Sequence, residues 1–176
     1  MKLKMLGGLA LSVGVFLVFV ALKPADYSIS RQLEIKASPE ALFPWINNSK
    51  KTNQWMPWPA LDPAMKMSFN GPEEGVGSES RWESPGKMGV GSAVVVESVP
   101  PRTVKTRLEY RKPFQMTQEA EMAIAPSKDG SVVTWSVRGK NNFVGRLMCV
   151  FVNMDKMVGG SFETGLANLK SLAEKK

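Results

Sequence analysis

Arg31 lies between Ile29 and Leu33 in a stretch that otherwise alternates apolar and polar residues. A guanidinium on the apolar face of a strand is well suited to hold a carboxylate or phosphate, because its planar fork donates two parallel hydrogen bonds. Near the start of a strand the same side chain can instead lay its stem on apolar surface and carry its charge out to the rim. Tyr110 and Gln118 fall on strand faces of the same kind. Each could orient a ligand through one hydrogen bond, or bond to neighbouring backbone. Asp155, between Met154 and Lys156, is the acid placed to act as a general base; the ordinary alternative is a solvated helix residue or a salt bridge.

Much chemistry is excluded. The chain has no histidine, so it has no Ser-His-Asp triad, no Cys-His dyad and no histidine-ligated zinc. The single cysteine, Cys149, cannot close an intramolecular disulfide; in the apolar run 147–151 it reads as buried filler. Glu73 and Glu74 fall in a turn, and Glu79 and Glu83 alternate outward, so neither makes a catalytic carboxylate pair. Gly75-Val76-Gly77 and Gly89-Val90-Gly91 open no helix and read as strand starts, not phosphate loops. No CxxC motif or acidic cluster points to a metal, and no cofactor is expected.

The elements that must position these residues follow from two periods. Ile29, Leu33 and Ile35 share one strand face, with Ser30, Gln32, Glu34 and Lys36 on the other. Ser38-Pro39-Glu40 then starts a helix: a serine cap, a proline at the first helical position and an early acid. Pro44 inside it departs from a regular helix. Thr52 to Trp58 reads as a second short helix ended by Pro57 and Pro59. Six alternating segments follow, over about 65–69, 79–83, 91–99, 104–111, 116–124 and 133–138. Their meander spacing implies antiparallel pairing. Phe143, Leu147, Val150, Phe151, Met154 and Met157 then recur at helical spacing, continued by Leu166, Leu169 and Leu172. Gly159-Gly160 should kink or loosen that long helix. One amphipathic helix against a sheet with polar outer residues is the two-layer α+β arrangement.

The 176 residues suffice for one domain plus an appendage, and 43% hydrophobic with 22% charged residues is ordinary for a globular chain. The formal charge of +7 comes from 23 basic and 16 acidic residues. Lys2, Lys4 and Lys23 flank the N-terminal apolar run, which leaves a mild excess elsewhere and no recognition motif, so no nucleic-acid partner is expected. Residues 5–22 carry no charge and would rise about 27 Å as a helix, close to a bilayer's hydrocarbon thickness. A cleaved signal peptide has a shorter apolar core and small residues at its cleavage site. The expectation is therefore a membrane anchor over residues 1–24 and a ligand-binding domain over 25–176. The basic end should stay in the cytoplasm, making the protein single-pass with its domain extracytoplasmic.

The order strand, two helices, six strands and long helix resembles the START-like superfamily, which includes polyketide cyclase/dehydrase and lipid-transport domains. The similarity is carried by Ala37-Ser38-Pro39-Glu40-Ala41-Leu42-Phe43, Trp55-Met56-Pro57-Trp58, Gly75-Val76-Gly77, Thr134-Trp135 and the run 162–170. It covers roughly residues 27–174 and implies a helix-grip fold, a curved antiparallel sheet wrapped on a long C-terminal helix. It also implies a cavity for an apolar or amphipathic small molecule such as a lipid, quinone or polyketide-like compound. On that fold the wall would come from Trp45, Trp58, Met67, Phe69, Trp82, Tyr110, Met122, Trp135, Phe143, Leu147, Met154 and Phe162, with Gln118 and Arg31 as polar contacts. Methionine and aromatic side chains suit an adaptable apolar pocket, although the same residues can fill a dry core. Non-catalytic, membrane-tethered binding is the leading expectation. A cyclase/dehydratase-type enzyme using Tyr110, Arg31 or Asp155, and a protein-interaction module with a filled core, are the alternatives.

Overall fold

The computed structural model describes residues 2–86 and 88–175, the first ten of these by backbone alone. Helix α1 (Lys2–Ala21) leads into strand β1 (Asp26–Ile35). Three short helices follow, α2 (Pro39–Asn47), α3 (Ser49–Trp55) and α4 (Trp58–Leu61). Then come β2 (Lys66–Asn70), β3 (Glu79–Glu83), β4 (Val90–Val99), β5 (Thr103–Lys112), β6 (Met116–Pro126) and β7 (Ser131–Lys140), and finally α5 (Phe143–Phe151) and α6 (Met154–Ala173).

The seven strands make one antiparallel sheet in the order β1-β7-β6-β5-β4-β3-β2. Sequential hairpins build β2 to β7, and β1 closes the far edge against β7. Ser38 caps α2, its side chain accepting from the Ala41 amide, and the helix continues through Pro44. Asn48 caps α3 through the Lys50 and Lys51 amides. Ser98 Oγ donates to Asn47 Oδ1 at 2.7 Å, which fastens this corner to β4.

The C-terminal stripe forms two helices, not one long one. The break falls between Val152, the C-cap of α5, and Asn153, whose side chain caps α6 by accepting from the Lys156 amide. Gly159 and Gly160 lie inside α6 without ending it. Phe162, Leu166 and Leu169 of α6 are buried with Ile29, Val133, Trp135 and Val137 of β1 and β7. Helix α6 therefore grips the β1–β7 edge, not the whole sheet. The sheet and this helix fit the helix-grip α+β arrangement.

The expected membrane-spanning anchor is corrected, and the single-pass topology with an extracytoplasmic domain falls with it. Among the described residues no helix is long and apolar enough to cross a membrane. Helix α1 is instead engaged with its own chain. Val20 is fully buried, and Phe16 meets Phe151 of α5 at 6.3 Å between ring centroids. Arg146 Nη1 donates to the Ala21 carbonyl at 2.6 Å, closing the helix end where carbonyls lack partners.

Candidate functional site

Strand register arranges the inward side chains in rows that cross the sheet. One row runs Met67, Trp82, Gly91, Tyr110, Met116. The next runs Phe69, Ser80, Ala93, Leu108, Gln118, Gly139, Tyr27. A third holds Val104, Met122, Trp135 and Arg31. The rows divide the expected wall into two regions.

The first region is packed core. Trp135 stacks on Phe162 at 4.0 Å and 11°, and meets Trp55 edge-on at 5.4 Å. Met122 and Trp135 are buried here, and Trp45, Trp58 and Met154 pack against the cluster from its margin. A Cβ on Gly165 would stand 2.7 Å from the Trp135 ring, so the helix can lie this close only because that position is glycine. The aromatic stack fills the space directly beneath α6.

The second region, the trough, is the half-buried apolar surface on the inward face of β2 to β5. Met67, Phe69, Trp82, Leu108 and Tyr110 are each half-buried. Trp82 and Tyr110 contact edge-to-face at 5.5 Å, and Trp82 Nε1 donates to the Met88 carbonyl. Small residues give these rings room: a Cβ on Gly91 would overlap the Trp82 indole. Of the two expected residues on α5, Leu147 is half-buried and Phe143 is exposed.

One end of the trough is polar. Gln118 Nε2 donates to the Tyr27 hydroxyl and to Met116 Sδ at 3.6 Å. A Cβ on Gly139 would come within 2.7 Å of that hydroxyl, so the strand narrows to admit the phenol. Asn141 Nδ2 reaches Cys149 Sγ at 3.7 Å beside it. Burial raises the Tyr27 phenol above its ordinary value and pushes Tyr110 up to about 12. These are the chain's two tyrosines. Tyr110 is therefore expected to stay protonated at pH 10, the ordinary tyrosine value, and Tyr27 to ionise at higher pH than a free phenol. A raised folded-state value means stability present below pH 10 and lost as pH rises toward 12. Absorbance at 295 nm should show less phenolate at pH 10 in the native protein than after denaturation, when about half ionises; a native midpoint at 10 would contradict this burial.

Arg31 is fully occupied. Its Nε donates to Glu163 Oε1 at 2.6 Å, Nη2 to Asp155 Oδ2 at 3.0 Å, and Nη1 to the Ser30 carbonyl at 2.8 Å and Asp155 Oδ1 at 3.1 Å. Arg31 hydrogen bonding holds the Asp155 carboxyl below its ordinary value. The guanidinium lies against α6 where a Cβ on Gly159 would overlap it. Gly159→Ala should therefore destabilise, because the added methyl displaces the guanidinium from its partners. In an Arg31→Ala background the same change should stabilise by about 0.5–1 kcal/mol, the usual helix gain of alanine over glycine. Equal effects in both backgrounds, read from urea midpoints, would show that Gly159 does not serve Arg31.

Two grooves lie elsewhere. One of about 450 Å³ crosses the outer face of β5 to β7 and is lined by Arg107, Glu119, Arg138 and Lys140 among others. One of about 320 Å³ runs between α4 and α6, past Leu61, Met157 and Thr164. The larger is charged and open, so it suits an apolar ligand less well than the trough despite its volume. Tyr27, Trp55 and Gly159 are absent from the sequence-derived site. Tyr27 shares the parity of Ile29 and Leu33, a signal available in the sequence.

A curved antiparallel sheet gripping a C-terminal helix, with aromatic surface left beside it, defines the helix-grip class. The chain belongs to the polyketide cyclase / dehydrase and lipid transport family, whose model matches residues 26–174. No curated protein matches it. Among solved structures it is similar to the Aha1 dimer from Colwellia psychrerythraea, with 17% identity, TM-score 0.61 and coverage of 84% of this chain and 96% of that one. An uncharacterised protein from Rhizobium leguminosarum gives 13%, 0.62, 88% and 98%. StfQ, a di-domain ARO/CYC of the steffimycin biosynthetic pathway, gives 10%, 0.63, 85% and 51%, so the chain spans about half of it. At these identities the likeness is one of fold.

Proposed function

We propose that the chain binds a hydrophobic or amphipathic small molecule in the trough over β2 to β5, without catalysing a reaction on it. The observation that carries this reading is the set of half-buried apolar side chains Met67, Phe69, Trp82 and Tyr110 on the inward face of strands that α6, packed on β1 and β7, does not cover. Surface of this kind is costly to leave to water and is typical of ligand grooves. Family membership supports it. The enzyme reading is weaker because two of its three residues, Arg31 and Asp155, neutralise each other. The third, Tyr110, is held protonated near neutral pH and is suited to donating a hydrogen bond, not to removing a proton.

Native mass spectrometry of the full chain, purified under mild conditions, tests the reading. A co-purifying apolar molecule at one per chain, displaced by N-phenyl-1-naphthylamine, is the expected result. Failure to bind either an endogenous molecule or that probe would overturn it.

A further inference from the structure

Helix α5 is the element whose sequence and packing disagree. None of its side chains is buried, and its main neighbour is α1. The buried positions of α6 include Leu169, Leu166, Phe162 and Gly159. Continued backward in steps of three and four, that stripe reaches Asp155, Phe151, Met148 and Val144. Asp155 already meets β1 through Arg31. Phe151, Met148 and Val144 do not follow it: they are 74%, 47% and 46% exposed. The apolar stripe is thus continuous in sequence and interrupted in space. Its exposed half is costly to leave in water, and the apolar trough beside it is not covered by α6.

The break consists of Val152 (φ −120°, ψ 126°) and Asn153 (φ −76°, ψ 92°). Neither is glycine or proline, so both can enter the helical region, and hinges are commonly a few residues at element ends. Helix α6 runs along β1 from Arg31, which holds Asp155 and Glu163, to Glu34, whose carbonyl accepts from Lys170 Nζ at 2.9 Å. Extended backward it would pass over Ile29 and Tyr27. From Asp155 to Val144 a helix rises about 16 Å, and from Arg31 to Tyr27 a strand spans about 13 Å. The extension therefore reaches the Tyr27–Gln118 end of the trough. Helix α1 holds α5 aside from this path. Phe151 meets Phe16, and Arg146 Nη1 donates to the Ala21 and Lys23 carbonyls. Arg146 Nε is buried there without a partner among the described residues, a cost specific to the α1-bound position.

We propose that α5 is a lid: once an apolar molecule occupies the trough, it joins α6 as one helix and lays Val144, Met148 and Phe151 over the Tyr27–Gln118 end. This rests on the binding reading above and adds the element that closes the site. Cys149 reports the movement, because it is the chain's single cysteine. It stands about 100–160° round the helix from those three residues. In the open position it is half-buried, with Asn141 Nδ2 at 3.7 Å from its sulfur. Joining turns the stripe to the sheet and Cys149 to water. Labelling of the full chain with 5,5′-dithiobis(2-nitrobenzoic acid) should therefore run about threefold faster or more when N-phenyl-1-naphthylamine is saturating. A ligand that only stabilises the fold slows labelling, so acceleration is specific to the lid. Met148→Asp, at an exposed position, should leave the urea midpoint little changed and remove the acceleration. Asn153→Ala removes the α6 cap and favours a continuous helix, so it should speed labelling without ligand and with ellipticity at 222 nm undiminished. Faster labelling with loss of helix in that variant is fraying and contradicts joining. Probe binding with unchanged or slower labelling of the unaltered chain overturns the lid and leaves the binding reading intact. Absence of probe binding overturns the binding reading, and the lid with it. The unaltered chain with and without probe decides the matter even if neither variant folds.

Discussion

Trp135→Ala is expected to cost about 3–5 kcal/mol, the range for emptying a fully packed aromatic site. Trp135 is 4% exposed. It is held on one face by Phe162 and on its edge by Trp55, whose own Nε1 donates to the Trp45 carbonyl at 2.9 Å. Asn168 of α6 donates to the Trp55 carbonyl at 3.1 Å, so the stack links α6, α3 and the sheet. Removing its middle ring leaves a void that rigid neighbours on three elements cannot close. With whole-domain stability ordinarily 5–15 kcal/mol, the variant should show a large fall in its urea midpoint. A loss under 1 kcal/mol would mean that the interior collapses freely and that the division between packed core and open trough is misplaced. Trp82→Ala makes the comparison, because Trp82 is half-buried: it should cost less stability and more probe affinity.

The strands were legible because one face of each is buried and the other solvated, which writes period-2 alternation into the sequence. Residues 104–111 show this most cleanly, and β5 follows them. The C-terminal stripe was equally legible as helix, but its break was not. Gly159-Gly160 looked like the weak point because glycine lowers helix propensity. In the fold Gly159 provides space for the Arg31 guanidinium, a tertiary demand with no local sequence signature. The actual break uses Asn153, a capping residue hidden between apolar neighbours. For the N-terminal run, hydropathy records apolar length; it cannot register that Phe16 meets Phe151 of the chain's own α5 and that Val20 is buried. The candidate site was legible as a set of inward residues but not as two regions. Parity assigns a face, whereas the position of α6 over β1 and β7 decides which part of that face is core. That position depends on glycines at 159 and 165 meeting Arg31 and Trp135, partners far outside the helix's own turns in sequence.

Filling the trough should separate binding from folding, provided the filler is placed where space exists. Ala120 and Ala93 both face inward and look equivalent by alternation. Ala120 is buried, between Thr106 and Val137 in its row, so Ala120→Trp would overpack the core at about 1–3 kcal/mol. Ala93 is half-buried between Ser80 and Leu108, beside the Trp82 and Tyr110 rings. An indole there would lie in the trough without entering the core. Ala93→Trp is therefore expected to weaken N-phenyl-1-naphthylamine binding tenfold or more, with the urea midpoint shifted by less than about 1 kcal/mol. Ala120→Trp should do the reverse, destabilising the fold while the surviving native fraction still binds. If folded Ala93→Trp binds the probe as the unaltered chain does, the ligand surface lies elsewhere, and the groove between α4 and α6 becomes the next place to block. If instead both variants lose binding in proportion to stability, the trough and the core are one cooperative unit, and the aromatic rings over β2 to β5 act as packing, not as a binding surface.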